Sequence, residues 1–313
     1  MLHWLRRDKK VPGWFALSIG ADRLDFAHGR HGEPKSQITA YGTRAVEADK
    51  PDLGKLAQTM HLGRYECAAL LQPGDYQLML VEAPNVPKDE LKSAIRWRIK
   101  DMIDYHVDDA TVDVLDIPHD AAAAGAAARN RLMYAVSAKN ELIEATIRQC
   151  DEAKIPLSVI DIPETAQRNI AALFEDGERA LGLVYFGEQA GLVTINYRSE
   201  LYLARRFDIG LHQVSGELSA AEAALERVAV EIQRTLDHFD RQFRSIPVAK
   251  MLVAPTPGDT SVADFLKSRV GIEAENIDLR EALAFDDGGP DKESQWRLFH
   301  HFGAALRHET KAL

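Results

Sequence analysis

The histidines are the residues whose spacing first suggests chemistry. His28 and His31 lie three residues apart, and His300 and His301 are adjacent, which are spacings that metal sites use. Neither pair has a cysteine or carboxylate at ligand spacing beside it. Scattered surface histidines are therefore the favoured interpretation, and we predict no metal ligand.

Ser18 is the one candidate nucleophile that has helpers nearby in sequence. Asp22 and His28 follow it, as the partners of a nucleophilic serine would. However, Ser18 does not lie in a Gly-x-Ser-x-Gly elbow, and a β-hairpin explains the same residues. We predict no catalytic residue in the chain.

The segment from Val86 to Tyr105 carries the densest basic stripe. Apolar residues recur in it at helical spacing, which predicts an amphipathic helix of about five turns that starts at Pro87. Its other face carries five basic side chains: Lys88, Lys92, Arg96, Arg98 and Lys100. Such a stripe is usually a solvated helix face, so on its own it does not identify a binding site.

Composition excludes some classes of function. The 313-residue chain has 38 Lys and Arg against 48 Asp and Glu, a formal net charge of −10, which argues against nucleic-acid binding. Cys67 and Cys150 are far apart in sequence and have no Cys-x-x-Cys spacing, which favours a reducing compartment. No stretch approaches the ~20 apolar residues of a membrane span. We expect a protein of the cytoplasm.

The first ten residues, MLHWLRRDKK, combine bulky apolar residues with basic ones and lack the apolar core of a secretion signal. Two interpretations remain open for this segment: a weak anchor at an anionic membrane surface, or a frayed basic tail. The tail is favoured because one short segment anchors poorly alone.

Apolar alternation predicts the same arrangement of strands in both halves of the chain. Three-strand meanders are predicted at Trp14–Gly20, Leu24–Gly29 and Ser36–Gly42, and again at Leu181–Gly187, Gly191–Tyr197 and Leu201–Phe207. Their separation by roughly half the chain indicates a duplicated architecture. A fold of this kind holds its ligand in the cleft between the copies, so the first turn of each copy is where function is expected.

Helices and strands alternate through the rest of the chain, which is typical of an α/β protein with mixed sheets. We assign residues 1–12 to a basic tail, 13–176 to a first half with an inserted α/β subdomain at about 76–137, and 177–313 to a second half. The alanine-rich run His119–Asn130 is predicted to be an exposed, mobile loop. Long helices are predicted at Leu218–Phe243 and Ser294–Arg307.

At this level of organisation the chain resembles a known family, that of the type IV pilus assembly protein PilM and its relative MshI from mannose-sensitive haemagglutinin (MSHA) pili. The resemblance is most specific in DELKSAIRWRIKDMIDYHVDDATVDV, which is similar to the family's inserted helix and following strand. It extends to EIQRTLDHF at Glu231–Phe239 and FGAALR at Phe302–Arg307. It implies a duplicated actin-like (ribonuclease H-like) fold.

Members of this superfold that hold ATP have an Asp-x-Gly turn after the first strand of each half and a lysine shortly after the first turn. Phosphates need the glycine amides and the cation, and Mg²⁺ needs the carboxylates. In this chain the first turn is Ser18-Ile19-Gly20, and the lysine position is Asp25. The second turn is Tyr185-Phe186-Gly187.

The adenosine turn departs from the family pattern as well, because Pro255 and Pro257 stand where the family has a glycine-rich turn. The resemblance therefore implies a degenerate nucleotide site that holds no cofactor and has no ATPase activity. The alternative is a functional actin-like protein that binds ATP and Mg²⁺ through residues in other positions.

The resemblance also implies a function and a partner. We expect a non-catalytic cytoplasmic adaptor of an MSHA-like pilus assembly platform, held at the inner membrane by the N-terminal cytoplasmic tail of a bitopic, PilN-like protein. Other platform proteins and the assembly ATPase are further partners that it implies. The partner site is predicted on the inserted subdomain, at Lys92, Arg96, Trp97 and Lys100.

Overall fold

The computed structural model describes residues 10–46, 53–118, 131–216, 218–258 and 260–308. The described strands are β1 (Trp14–Ile19), β2 (Arg23–Arg30), β3 (Gln37–Ala45), β4 (Glu66–Leu70), β5 (Tyr76–Glu82), β6 (Ala110–Asp116), β7 (Leu132–Lys139), β8 (Leu157–Asp161), β9 (Ala180–Phe186), β10 (Gly191–Tyr197), β11 (Glu200–Phe207), β12 (Val248–Val253), β13 (Ala274–Asn276) and β14 (Ala284–Phe285). The described α-helices are α1 (Leu53–Thr59), α2 (Leu91–Ile99), α3 (Asn140–Glu152), α4 (Pro163–Ala171), α5 (Leu211–Val214), α6 (Leu218–Gln242), α7 (Val262–Val270), α8 (Leu279–Ala282), α9 (Lys292–Arg297) and α10 (Phe299–Ala305). The basic segment 1–9 and the alanine-rich run His119–Asn130 lie outside the described residues, so the expectations for them stay predictions.

Two sheets repeat one strand order. The order β3-β2-β1-β4-β8 in the first sheet recurs as β11-β10-β9-β12-β13 in the second. In each sheet an antiparallel three-strand meander is followed by two parallel strands. Strand β14 joins the first sheet beside β3, which brings the end of the chain back to the first half. The predicted duplicated α/β architecture with mixed sheets is confirmed.

Helices α4 and α10 cross between the two sheets. Their apolar residues Ile170, Phe299 and Phe302 belong to the core that both sheets share. The crossing is so close that a Cβ atom on Gly303 would lie 2.0 Å from the carbonyl oxygen of Ala166. Only glycine fits at this contact, and it sets how the two halves meet.

The inserted strands form a third sheet, in the order β5-β7-β6. Helix α2 covers one face of it, where Ile95 and Ile99 pack with Met133. The other face packs against the second half, in a cluster that includes Tyr134 and Phe239. The insertion therefore interrupts the first half in sequence but rests on the second half in space.

The helix predicted for Val86–Tyr105 is wrong in length, because α2 spans only Leu91–Ile99. Beyond it the chain tightens, and the amides of Met102 and Ile103 both donate to the Ile99 carbonyl. This turn carries Ile103 into the same small core. Acidic residues in this next turn also disfavour a longer helix, since the carboxyl end of a helix dipole repels negative charge.

The single helix predicted for Ser294–Arg307 is also wrong, because Leu298 separates α9 from α10. The interruption lets two side chains face different partners. The Trp296 indole donates to the Phe186 carbonyl at 2.6 Å, while Phe302 enters the core between the sheets.

Candidate functional site

A cavity of about 390 Å³ lies in the cleft between the two halves. Four residues that the sequence placed at nucleotide positions line it: Ser18, Asp25, Tyr185 and Gly187. Pro255 instead lines a separate cavity of about 230 Å³ at the ends of β12 and β13. The fold thus brings most of the predicted positions together, from strands of opposite halves.

The first turn of each half has the same closed geometry. The Gly20 amide donates to the Arg23 carbonyl at 2.8 Å, and the Gly187 amide donates to the Ala190 carbonyl at 2.9 Å. Both bonds join residue i to residue i+3 across a hairpin. These two amides, which a phosphate would need as donors, are therefore already satisfied by the protein.

Ser18 bonds to a histidine from the other end of the chain. Its Oγ lies 2.8 Å from Nε2 of His301 on α10, and 6% and 5% of the two residues are exposed. Burial lowers the pKa of His301 to about 4, with the nearby Asp25 carboxylate acting in the opposite direction. The imidazole is therefore neutral at pH 7.

The interpretation of the four histidines as surface residues holds for His31 but is wrong for His28 and His301, which are both buried. His28 bonds to Thr39 and the Pro12 carbonyl rather than to Ser18, and burial lowers its pKa. The partly buried His300 bonds to Gln167, and burial holds its pKa well below the usual value. Among the described residues, no group of three or more His, Cys, Asp or Glu is arranged to hold a metal ion.

The charges at the mouth of the cavity pair with one another. Asp25, at the lysine position, accepts a hydrogen bond from Thr43 and lies 3.3 Å from Arg23. Arg23 also reaches to within 4.0 Å of Glu188, which belongs to the other half. The cation at this turn is therefore shared between two carboxylates.

Tyr185 places an aromatic ring at the second Asp position. Its hydroxyl donates to the Trp296 carbonyl at 3.2 Å, and its ring stacks on Phe299 with centroids 5.3 Å apart. Burial is the main cause that raises its pKa. The side chain is neutral and anchored on both sides.

A buried ion pair at the edge of the cleft was only partly anticipated from sequence. Arg206 on β11 binds Glu164, in the first turn of α4, and Tyr76 on β5 donates to the other carboxylate oxygen. The one sequence signal for this ion pair is the adjacent arginines Arg205-Arg206 at the end of a predicted strand, since cations at that position can pair with carboxylates of the cleft. Nothing in the local sequence marked Glu164 or Tyr76 as their partners.

The four predicted partner-binding residues lie on α2 and its end but differ in what they contact. Lys92 pairs with Asp113 at 2.9 Å. Arg96 donates to the Val107 carbonyl at 2.6 Å. Trp97 is 69% exposed, and Nζ of Lys100 lies 5.9 Å from the centre of its ring. Lys92 and Arg96 therefore bond from α2 to β6 and to the turn before it, whereas the Trp97 ring and Lys100 face solvent.

The duplicated sheets around a central cleft define the class as the actin-like ATPase fold. No protein-family model and no curated protein sequence matches the chain. Among solved structures, it is similar to one described as a PilM–PilN type IV pilus biogenesis complex, with 17% identity and a TM-score of 0.64 over 95% of this chain and 97% of that chain.

A second similar structure is the cytoplasmic domain of EpsL, an inner-membrane component of the type II secretion system of Vibrio cholerae. The identity is 12% and the TM-score 0.50, over 86% of this chain and 91% of that chain. At such identities the likeness establishes the fold. Within the described part of the chain, no helix combines the length and apolar composition needed to cross a membrane.

Proposed function

We propose that this chain is a non-catalytic adaptor of a type IV, MSHA-like pilus assembly platform. On this proposal it is a cytoplasmic protein that binds the N-terminal cytoplasmic tail of a bitopic, PilN-like protein and is held at the inner membrane by it. The observation that carries the proposal is the likeness to the PilM–PilN complex, which spans 95% of this chain and 97% of the other. The similarity to a cytoplasmic domain of an inner-membrane secretion component supports the same setting.

The adaptor is proposed to be a pseudo-ATPase, because the cleft does not fit Mg·ATP. The amides of both glycine turns are satisfied by protein carbonyls. Carboxylates would be needed at these two positions to hold hydrated Mg²⁺. The chain instead has Ser18, whose hydroxyl bonds to His301, and Tyr185, whose phenol bonds to the Trp296 carbonyl. Asp25 adds a negative charge where a phosphate would need a positive one.

The partner surface is proposed on the exposed end of the inserted subdomain. Trp97 and Met102 are 69% and 50% exposed, although large apolar side chains usually lie inside a protein. Lys100 supplies a cation beside the Trp97 ring. An extended tail could place an apolar side chain on the indole and an acidic group or its backbone carbonyls on the lysine.

A short tail would order on binding and bury little area, so we expect modest affinity. Isothermal titration of the protein with a synthetic peptide of the N-terminal cytoplasmic tail of a PilN-like protein from the same organism tests the proposal. Saturable binding at a one-to-one ratio supports the adaptor, and absence of heat at millimolar peptide contradicts it.

A thermal-shift experiment with Mg·ATP separates the adaptor from the alternative ATP-binding protein. A nucleotide at a hundred times its dissociation constant would stabilise the fold by ~2.7 kcal/mol. We expect no shift. A clear shift together with no peptide binding would favour the alternative.

A further inference from the structure

Strand β5 lies at one edge of the inserted sheet, beside β7. The Ala83 amide donates to the Arg131 carbonyl at 2.6 Å, and this bond continues the register in which β5 pairs with β7. In an antiparallel pair, residues that exchange hydrogen bonds alternate with residues that do not. Counting back from Ala83, the backbone groups of Leu78 and Leu80 therefore point away from β7, toward what we call the outer edge of β5.

The outer edge of β5 is open at these two leucines. Glu82 has the same orientation, and its carbonyl accepts a hydrogen bond at 2.9 Å from Arg98 on α2. The amides and carbonyls of Leu78 and Leu80 have no such partner within the described part of the chain. Both leucines and the Met79 between them are partly exposed. Backbone groups in this position can pair with a further strand.

The opposite edge of the same sheet, formed by β6, is protected. The Val114 amide donates to the Asp113 carboxylate at 2.8 Å, so an added strand could not use it. The same carboxylate puts a charge on this edge. Charged side chains and capped amides keep an edge strand from pairing with another chain. Residues 77–81 of β5, with the sequence Gln-Leu-Met-Leu-Val, carry no charge. The two edges therefore differ, and that of β5 is the one suited to accept a strand.

The free backbone groups of β5 are complementary to themselves. A two-fold axis at Met79 would bring Leu78 of one copy opposite Leu80 of another, and each such pair would exchange both of its hydrogen bonds. All the groups left open at both leucines are then bonded. The first carboxylate along the strand, Glu82, comes opposite the uncharged Tyr76 rather than a second glutamate. Two copies of a protein whose net charge is −10 can therefore meet here without opposed carboxylates in the strand pair.

We propose that two copies of this chain pair through the outer edges of β5, which joins their two three-stranded inserted sheets into one continuous sheet. The pairing goes beyond the adaptor function and does not depend on it, because the tail surface at Trp97 and Lys100 lies on α2 and its end, over a face of the sheet. A two-fold axis perpendicular to the sheet leaves both α2 helices on the same face. A single pair of strands buries little area, so the dimer is weak and depends on concentration.

A cysteine at the proposed axis tests the pairing and its register. In Met79→Cys the two thiols of a dimer face each other in a pair without hydrogen bonds, where Cα atoms lie about 4.5 Å apart, a distance that a disulfide can span. Mild oxidation of the full chain is expected to give a covalent dimer on a non-reducing gel. Wild type should not cross-link, because Cys67 and Cys150 are buried. The matched control is Gln77→Cys on the same strand, whose counterpart in the dimer would be about 13 Å away.

Sedimentation equilibrium without a cross-link provides the second measurement. The mean mass of wild type is expected to rise between roughly 1 and 100 μM protein. Met79→Lys should weaken the dimer about tenfold or more, because it places like charges directly opposite each other. Leu80→Pro should weaken it as well, since it removes an outward amide and leaves the bonds to β7 in place.

Three results would each overturn the proposal. They are equal cross-linking of Met79→Cys and Gln77→Cys, a wild type that stays monomeric over the whole range, and a dimer that neither Met79→Lys nor Leu80→Pro weakens. Melting temperatures of the variants show whether a lost dimer reflects lost pairing or a lost fold. Titration of wild type with tail peptide is a separate measurement, so a failure of the adaptor function is distinguishable from a failure of the pairing.

Discussion

Arg206 and Glu164 form an ion pair that joins the two halves of the molecule, with Nε of the guanidinium 2.9 Å from Oε1 of the carboxylate. The pair is unequal in its surroundings. The Glu164 side chain is 1% exposed, whereas that of Arg206 is 33% exposed. Removing one partner should therefore not have the same effect as removing the other.

We expect Arg206→Met to destabilise the protein by about 3 kcal/mol, because it leaves a buried carboxylate without its cation. Glu164→Gln should cost less, since the remaining guanidinium reaches water and the amide still bonds to Tyr76. The free energy of unfolding in urea measures both. The double variant E164Q/R206M should recover part of the loss, and equal effects of the two single changes would contradict this account.

No ATP hydrolysis above background is expected from the purified chain. The double variant S18D/Y185D should also remain inactive, because Asp25 stays acidic and the Gly20 amide stays bonded to Arg23. Phosphate release with Mg·ATP is the measurement, with an active actin-like ATPase as the positive control. Mg²⁺-dependent hydrolysis by wild type that is lost on changing Gly187 would refute the pseudo-ATPase.

Tail binding should depend on the exposed end of the inserted subdomain. We expect Trp97→Ala and Lys100→Glu each to weaken binding of the tail peptide roughly tenfold, as the loss of an aromatic or charged contact at an interface does. Isothermal titration measures this, and Arg241→Glu on α6 is the control. Reversal of Arg96 with Lys100 should weaken binding as well. Because Arg96 also donates a hydrogen bond to the Val107 carbonyl, the melting temperature of that double variant must be measured together with its peptide binding.

The stability of the protein should decrease as the pH is lowered from about 6.5 to 4, in part because of His301. Its pKa is 6.5 when unperturbed and about 4 in the fold, so the unfolded chain binds more protons in this window. The neutral imidazole contributes to the free energy of unfolding above pH 6.5, and this contribution is lost as the pH approaches 4. The loss is on the order of 3 kcal/mol, because one unit of pKa shift corresponds to ~1.4 kcal/mol. Protonation would also bury an N–H at Nδ1, which has no acceptor among the described residues.

The variant His301→Gln should show a flatter dependence of unfolding free energy on pH than wild type. Its amide can still bond to Ser18, so the fold is expected to persist at pH 7. If wild type and variant lost stability in parallel from pH 6.5 to 4, the histidine would not be responsible.

Gly303→Ala should destabilise the protein by about 3 kcal/mol or more. The added methyl group would lie 2.0 Å from the Ala166 carbonyl oxygen, and these backbone atoms cannot move without separating α4 from α10. The matched control is Gly63→Ala, where an added Cβ meets nothing within 4 Å. Thermal unfolding of both variants checks this, and a Gly303→Ala protein as stable as its control would show that the crossing is loose.

Much of the fold was predictable because its signals are local. Alternating apolar residues specify a strand with one buried face, and two meanders of this pattern predicted the duplication that the sheet orders confirm. The buried stripe of α6 predicted that long helix to within a residue at its end. Ser18, Asp25, Tyr185 and Gly187 were expected at one cleft, and they line one cavity.

Helix ends were less predictable, because side-chain periodicity continues past the point where the backbone turns. Helix α2 ends at Ile99, and the tight turn that follows it carries Ile103 into the small core. The helix is interrupted at Leu298, so that the Trp296 indole reaches the Phe186 carbonyl while Phe302 packs in the core. Both outcomes depend on neighbours from distant segments, which a local pattern does not contain.

The sequence by itself determined the strands of the two meanders, the long helix α6, the duplication and the residues at the two turns, because these depend on contacts between near neighbours along the chain. Only the tertiary structure decided that Ser18 meets His301, 283 residues away, and that Arg206 meets Glu164. It also placed the inserted sheet on the second half through Tyr134 and Phe239. Such contacts form when separate elements pack, so their partners are fixed by the shape of the whole core.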